Sequence, residues 1–186
     1  MRKTKPTPLN DLGLRRFDVA AFAAIGFDTS GFELWKGLAV QILQRAFPHL
    51  TEDQRLVIAD IGVNRTFEHG DIIIRQAQVP NSLFVVVSGN ARVMQRRTDT
   101  INVEFTGPLG PGDLFGEISF IDGHPASATI VADGDVDVVA LPESDVRPLL
   151  KGNSELAANF YHSLLAVIAH RLRATNMHIV TPEDFE

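Results

Sequence analysis

A chain of 186 residues has room for one domain with a proper core and a helical attachment. Its 45% hydrophobic and 22% charged residues exclude wholesale disorder, and a net charge of −6 leaves no basic face with which to neutralise nucleic acid. The absence of cysteine excludes disulfides, thiolate zinc sites and cysteine nucleophiles, and fits a reducing cytoplasm.

Residues 1–11 are polar and carry prolines, so they read as a loose tail. A short helix is possible over 12–27, and the apolar run at 19–27 is about half the length that spans a bilayer. A soluble, cytoplasmic chain with no membrane insertion is therefore expected. Ser30 and Glu33 have capping-box spacing, and Trp35, Leu38, Ala39, Ile42, Leu43 and Ala46 follow a helical period as far as Pro48. Thr51 and Gln54 open a second helix by the same logic, with Leu56, Val57, Ala59 and Ile61 as its apolar members.

From residue 64 the texture changes to short β-rich runs punctuated by glycine. Runs at 72–74, 83–87, 91–94, 101–105, 128–131 and 136–141 are each strand-length. Their separators are Gly70, Ser88-Gly89-Asn90, residues 107–112, Gly123 and Asp133-Gly134-Asp135. Such spacing predicts a sandwich or barrel rather than a βαβ sheet, and the unbroken Phe84-Val85-Val86-Val87 predicts a strand buried on both faces. Helical pattern returns at 142–150, and a long helix follows from Asn153-Ser154 to about Asn176. Its apolar residues, Leu156, Ala157, Phe160, Tyr161, Leu164, Leu165, Val167, Ile168 and Leu172, form a stripe too wide for one contact surface. A second copy of the chain is the simplest second partner, so a homodimer through this helix is expected. The expected divisions are a tail and helical extension at 1–50, the main domain at 51–176, and a short acidic tail at 177–186.

One stretch carries more chemistry than any other. Residues 115–129 read Phe-Gly-Glu-Ile-Ser-Phe-Ile-Asp-Gly-His-Pro-Ala-Ser-Ala-Thr. A Gly-Glu pair, an apolar turn and then Pro-x-Ser-Ala-Thr resembles the phosphate-binding cassette of cyclic nucleotide-binding domains. The segments 70–74 and 82–89 are similar to that family's glycine-marked strands, and the resemblance covers roughly 50–176. It implies a mainly β fold with flanking helices: an eight-stranded antiparallel β-roll, jelly-roll-like, with N-terminal helices and a long C-terminal helix. It also implies a stand-alone regulatory module that senses cAMP or cGMP and signals through the C-terminal helix.

Carried over by position, Gly116 and Glu117 fall where the family contacts the ribose, and a carboxylate there can accept a hydrogen bond from the 2′-hydroxyl. The backbone amides of Gly116, Glu117, Ile118 and Ser119 would open a helical turn able to face an anion. Ser127 and Ala128 fall where a hydroxyl and an amide approach the cyclic phosphate, and Leu83 and Val85 could cover the purine. Two positions depart from the pattern. Ala126 stands where the family usually has an arginine, and Ala77 where it commonly has a turn glycine. A guanidinium on a buried phosphate contributes about 1.5–3 kcal/mol per bond, so its loss weakens binding roughly tenfold to over a hundredfold. His124, Arg92 or Arg96 could offer a substitute cation. The alternative to a sensor is a degenerate roll kept as a scaffold for dimerisation or for an unknown protein partner.

An enzyme is not expected. The metal-binding alternative of similar shape, the cupin class, needs clustered histidines, and the six here (49, 69, 124, 162, 170, 178) are scattered with no His-x-His. No cofactor or metal is expected. Some ten residues follow Asn176, the last of them acidic, so direct DNA binding through a helix-turn-helix domain, as in regulators of the catabolite activator type, is not expected either.

Overall fold

The computed structural model describes residues 40–98, 101–104 and 108–179. Their elements, in chain order, are α1 (residues 40–46), α2 (Glu52–Asp60), β1 (Val63–Phe67), β2 (Ile72–Ile74), β3 (Ser82–Thr98) and β4 (Ile101–Glu104). Then come β5 (Leu114–Phe115), α3 (Glu117–Asp122), β6 (Thr129–Pro142), α4 (Glu143–Gly152) and α5 (Ser154–Ile179). The possible helix at 12–27 and the start of the helix predicted from Ser30 lie outside the described residues. What is described of the latter ends at 46, two residues before Pro48. The predicted capping box at Thr51 is present. Its Oγ1 accepts from the Gln54 amide at 3.3 Å, and Gln54 Oε1 accepts from the Thr51 amide at 3.1 Å.

The strands form one antiparallel sheet in the order β1-β6-β3-β4, with β2 added to β6 and β5 to β3. Two separators read from the sequence as breaks are not breaks. β3 runs through 88–90, and β6 through 133–135, as single strands whose register shifts locally at bulges between Val86 and Asn90. Gly89 takes φ 77 there, and a Cβ on it would sit 2.2 Å from the Asp135 carbonyl oxygen. A bulge glycine and a turn glycine are the same letter, which is why the sequence reads each long strand as two. Counted by their halves, β3 and β6 bring the six strands to the eight of the roll. The sequence reading passes over β1, since its Asn64, Arg65 and Thr66 interrupt any apolar alternation.

Side chains alternating along β3 feed two cores. Leu83 and Val85 pack under the helices with Phe47, Ile58, Phe120, Val146, Leu150, Phe160 and Leu164. Phe84 and Val86 face the interior of the roll with Ile74, Leu109, Phe115 and Ile130. The strand is thus buried on both faces, as its unbroken apolar run predicts. Phe160 of α5 joins the helical core together: it stacks on Phe47 at 5.0 Å between ring centroids and meets the Phe120 ring at a tilt, 5.8 Å away. The same helix leaves Tyr161, Leu165 and Leu172 exposed, so the outer part of its wide stripe is uncovered. Among the described residues, no helix is long and apolar enough to cross a membrane.

Candidate functional site

The cassette begins where β5 delivers the chain to Gly116. This residue takes φ 85 as the cap of α3, and a Cβ on it would lie 3.2 Å from the Ser82 carbonyl oxygen. Only a residue without a side chain makes that approach comfortably. The turn swings Glu117 inward, and its side chain is 4% exposed. From the other side, the loop before β6 is pinned by the turn at Ala77. The Ala77 amide donates to the Ala126 carbonyl, and the Ala126 amide to the Gln78 carbonyl, both at 2.9 Å. Ala77 holds φ 64, a left-handed conformation that costs a residue with a Cβ about 1–2 kcal/mol. The missing turn glycine has therefore been absorbed as strain, with the turn retained.

Between these segments lies a cavity of about 240 Å³. Of the residues singled out in the sequence, Gly116, Glu117, Ile118, Ser119, Ala126, Ser127 and Ala128 line it. Leu83 and Val85 do not. Both are wholly buried in the helical core, because the alternation along β3 turns Phe84 and Val86 toward the roll instead. The apolar wall of the cavity comes from Ile74, Val93, Leu109, Phe115 and Ile130.

The most consequential lining residue is one the sequence reading missed. Arg171, from α5, reaches the cavity and donates from Nη1 to Glu117 Oε1 at 2.5 Å and from Nη2 to the Leu114 carbonyl. The signal was present. Residues 156, 160 and 164 form the buried face of α5, and 171 continues that face seven residues beyond Leu164. An arginine on a core-facing line of a helix needs an acidic or carbonyl partner, and here it has both.

The other cations considered from the sequence are elsewhere. Arg92 Nε lies 3.6 Å from Asp133, and His124 is exposed beside Asp122, to which its amide donates at 2.9 Å. The side chain of Arg96 lies outside the described residues. Arg147 of α4 grips the back of the cassette helix: it donates to the Phe120 carbonyl at 2.8 Å, lies over the Phe120 ring and pairs with Glu143. The cassette is thereby tied to α4 through Arg147 and to α5 through Arg171. Among the described residues, no group of three or more histidines and carboxylates could hold a metal ion.

Comparison with known proteins agrees with this geometry. The structure is similar to the Thermus thermophilus catabolite activator protein, with 28% identity, TM-score 0.62, and coverage of 73% of this chain and 61% of that one. It is also similar to the regulatory domain of Toxoplasma gondii PKA crystallised with cAMP, with 21% identity, TM-score 0.63, and coverage of 82% and 55%. A third similar structure is the regulatory subunit of a cAMP-independent protein kinase A from Trypanosoma cruzi bound to guanosine, with 24% identity, TM-score 0.53, and coverage of 63% and 41%. This chain thus spans less than two thirds of the length of each of these three. The family model described as "Cyclic nucleotide-binding domain" matches residues 64–153, from β1 to the end of α4. The cassette and the buried Glu117 lie inside that match, so residues 64–153 are similar to the cyclic nucleotide-binding domain in sequence as well as in fold.

Proposed function

We propose that this chain is a regulatory module that senses a ligand of the nucleotide class through its ribose and reports it through α5. The observation that carries this reading is the Glu117 carboxylate, buried, turned into an open cavity and paired with an arginine of the long helix. Glu117 Oε1 is engaged by Arg171, and the carboxylate has acceptor capacity left for a sugar hydroxyl. A ligand that shares Glu117 with Arg171 changes how tightly α5 is held, and that difference between states is what a sensor requires. The helical core offers the same route in apolar form, from Phe120 through Val146 and Leu150 to Phe160 and Leu164. The relatives' ligands support a ribose-first reading, because cAMP and guanosine have a purine and a ribose in common. The alternative, a scaffold that binds no nucleotide, draws support from Ala126 and from the exposed apolar side of α5; the open cavity favours the sensor.

The test is thermal shift and calorimetry on the full chain with cAMP, cGMP, adenosine and guanosine up to millimolar concentration. A ligand at a hundred times its Kd stabilises the fold by about 2.7 kcal/mol, a shift of several degrees. No response to any of the four overturns the proposal.

The exposed stripe on α5 supports the homodimer. Tyr161, Leu165 and Leu172 lie at spacings of four and seven, the seam of a two-stranded coiled coil. Leu165→Glu is expected to convert a dimer to a monomer in analytical ultracentrifugation, whereas Glu155→Ala, at the start of the helix, leaves the state unchanged.

A further inference from the structure

The electrostatics of the cavity select against an anion. Ala126 brings no cation, and its amide and carbonyl are both committed to the turn at 77–78, so neither is open to a phosphate. α3 has only six residues, and its first turn holds Glu117, whose negative charge offsets the partial positive charge of the exposed amides. Among the described lining residues the charged groups are Glu117 and Arg171, one of each sign, in direct contact. Arg171 is spent on Glu117 and on the Leu114 carbonyl. A cyclic phosphate in this space places a full negative charge near a buried carboxylate whose guanidinium is already claimed, and an unpaired buried charge is costly. An uncharged ligand avoids that cost. The remaining lining is suited to one: the wall of Ile74, Leu109, Phe115 and Ile130 can receive a planar base, and Glu117 and Ser127 can receive hydroxyl groups.

We propose that the ligand of this site is an uncharged nucleoside and not a cyclic nucleotide, an inference that rests on the sensing role proposed above. Arg171 then keeps its pairing with Glu117 while the ribose hydroxyls take the acceptor positions left on the carboxylate.

The experiment is isothermal calorimetry of the full chain with guanosine, adenosine, cGMP and cAMP, on the wild type and on Ala126→Arg. The wild type is expected to bind at least one nucleoside tenfold or more tightly than its cyclic nucleotide. Ala126→Arg is expected to raise cyclic-nucleotide affinity roughly tenfold to over a hundredfold. Wild type that binds a cyclic nucleotide as tightly as the matching nucleoside overturns the proposal and leaves the sensing role standing. That wild-type comparison holds whether or not the variant folds. If none of the four binds to the wild type or to a folded Ala126→Arg, the sensing role itself is overturned.

Discussion

Phe160→Ala is expected to cost about 3–5 kcal/mol, the range for removing a fully buried aromatic ring without collapse of the site. Phe160 has no solvent exposure, and its ring contacts Phe47, at the end of the N-terminal helical segment, and Phe120, in the cassette helix. Removing it therefore leaves a void where three separate parts of the chain converge. Domains of this size have about 5–15 kcal/mol of stability in all, so the variant should be close to its unfolding threshold. Expressed as a melting temperature, the loss is roughly 6–20 °C. Phe160→Leu keeps much of the volume and should cost well under half as much. Urea denaturation monitored by circular dichroism checks both, and a loss under about 1 kcal/mol for Phe160→Ala would show that the packing described for α5 is wrong.

The second large effect concerns the Glu117–Arg171 pair. A double-mutant cycle with Glu117→Gln and Arg171→Gln is expected to give a coupling energy of about 1.5–3 kcal/mol, the value of a hydrogen bond between charged groups. The carboxylate is almost fully buried, while the arginine side chain is 31% exposed, so the pair falls short of the larger penalties seen when a deeply buried pair is broken. Glu117→Gln keeps the shape of the side chain but removes the charge. It should weaken any ribose-bearing ligand roughly tenfold to over a hundredfold, because a neutral amide is a poorer acceptor for a hydroxyl. Arg171→Gln should instead leave ligand contact largely intact and uncouple it from α5. Hydrogen exchange of the amides around 165–174 would then no longer respond to ligand. A coupling energy near zero would mean that the two side chains are neighbours without a shared role.

Much of this was legible in the chain. The capping box at Thr51, the return of helical period after β6 and the doubly buried run at 84–87 all follow from residue pattern, because burial imposes a period on the sequence. The cassette was legible for a different reason: Gly116 and Glu117 are needed at adjacent positions by a turn that only glycine takes easily. Three things were not legible. Bulges at Gly89 and near Gly134 look like turns, because both demand the same backbone freedom. The parity of β3 was ambiguous, because an all-apolar run does not say which residues face which core, and Leu83 and Val85 were accordingly assigned to the wrong side. Arg171 lies 54 residues from its partner, a distance at which only the three-dimensional fold brings charges together.

The turn at Ala77 shows how the two departures from the family pattern differ in consequence. At position 77 the backbone geometry survives the substitution, with strain of about 1–2 kcal/mol offset by the hydrogen bonds that hold the turn. At position 126 the geometry also survives, but the chemistry does not, since no backbone adjustment supplies a guanidinium. At this position the shape has been kept and the charge has been changed.

The measurement that bears most directly on the role of Glu117 is a calorimetric comparison of guanosine with 2′-deoxyguanosine on the wild-type chain. With the carboxylate accepting the 2′-hydroxyl, the deoxy compound should bind at least tenfold more weakly, and Glu117→Gln should shrink that gap to about twofold. Equal affinity for the two compounds, or no heat with either, would show that this cavity does not read a ribose.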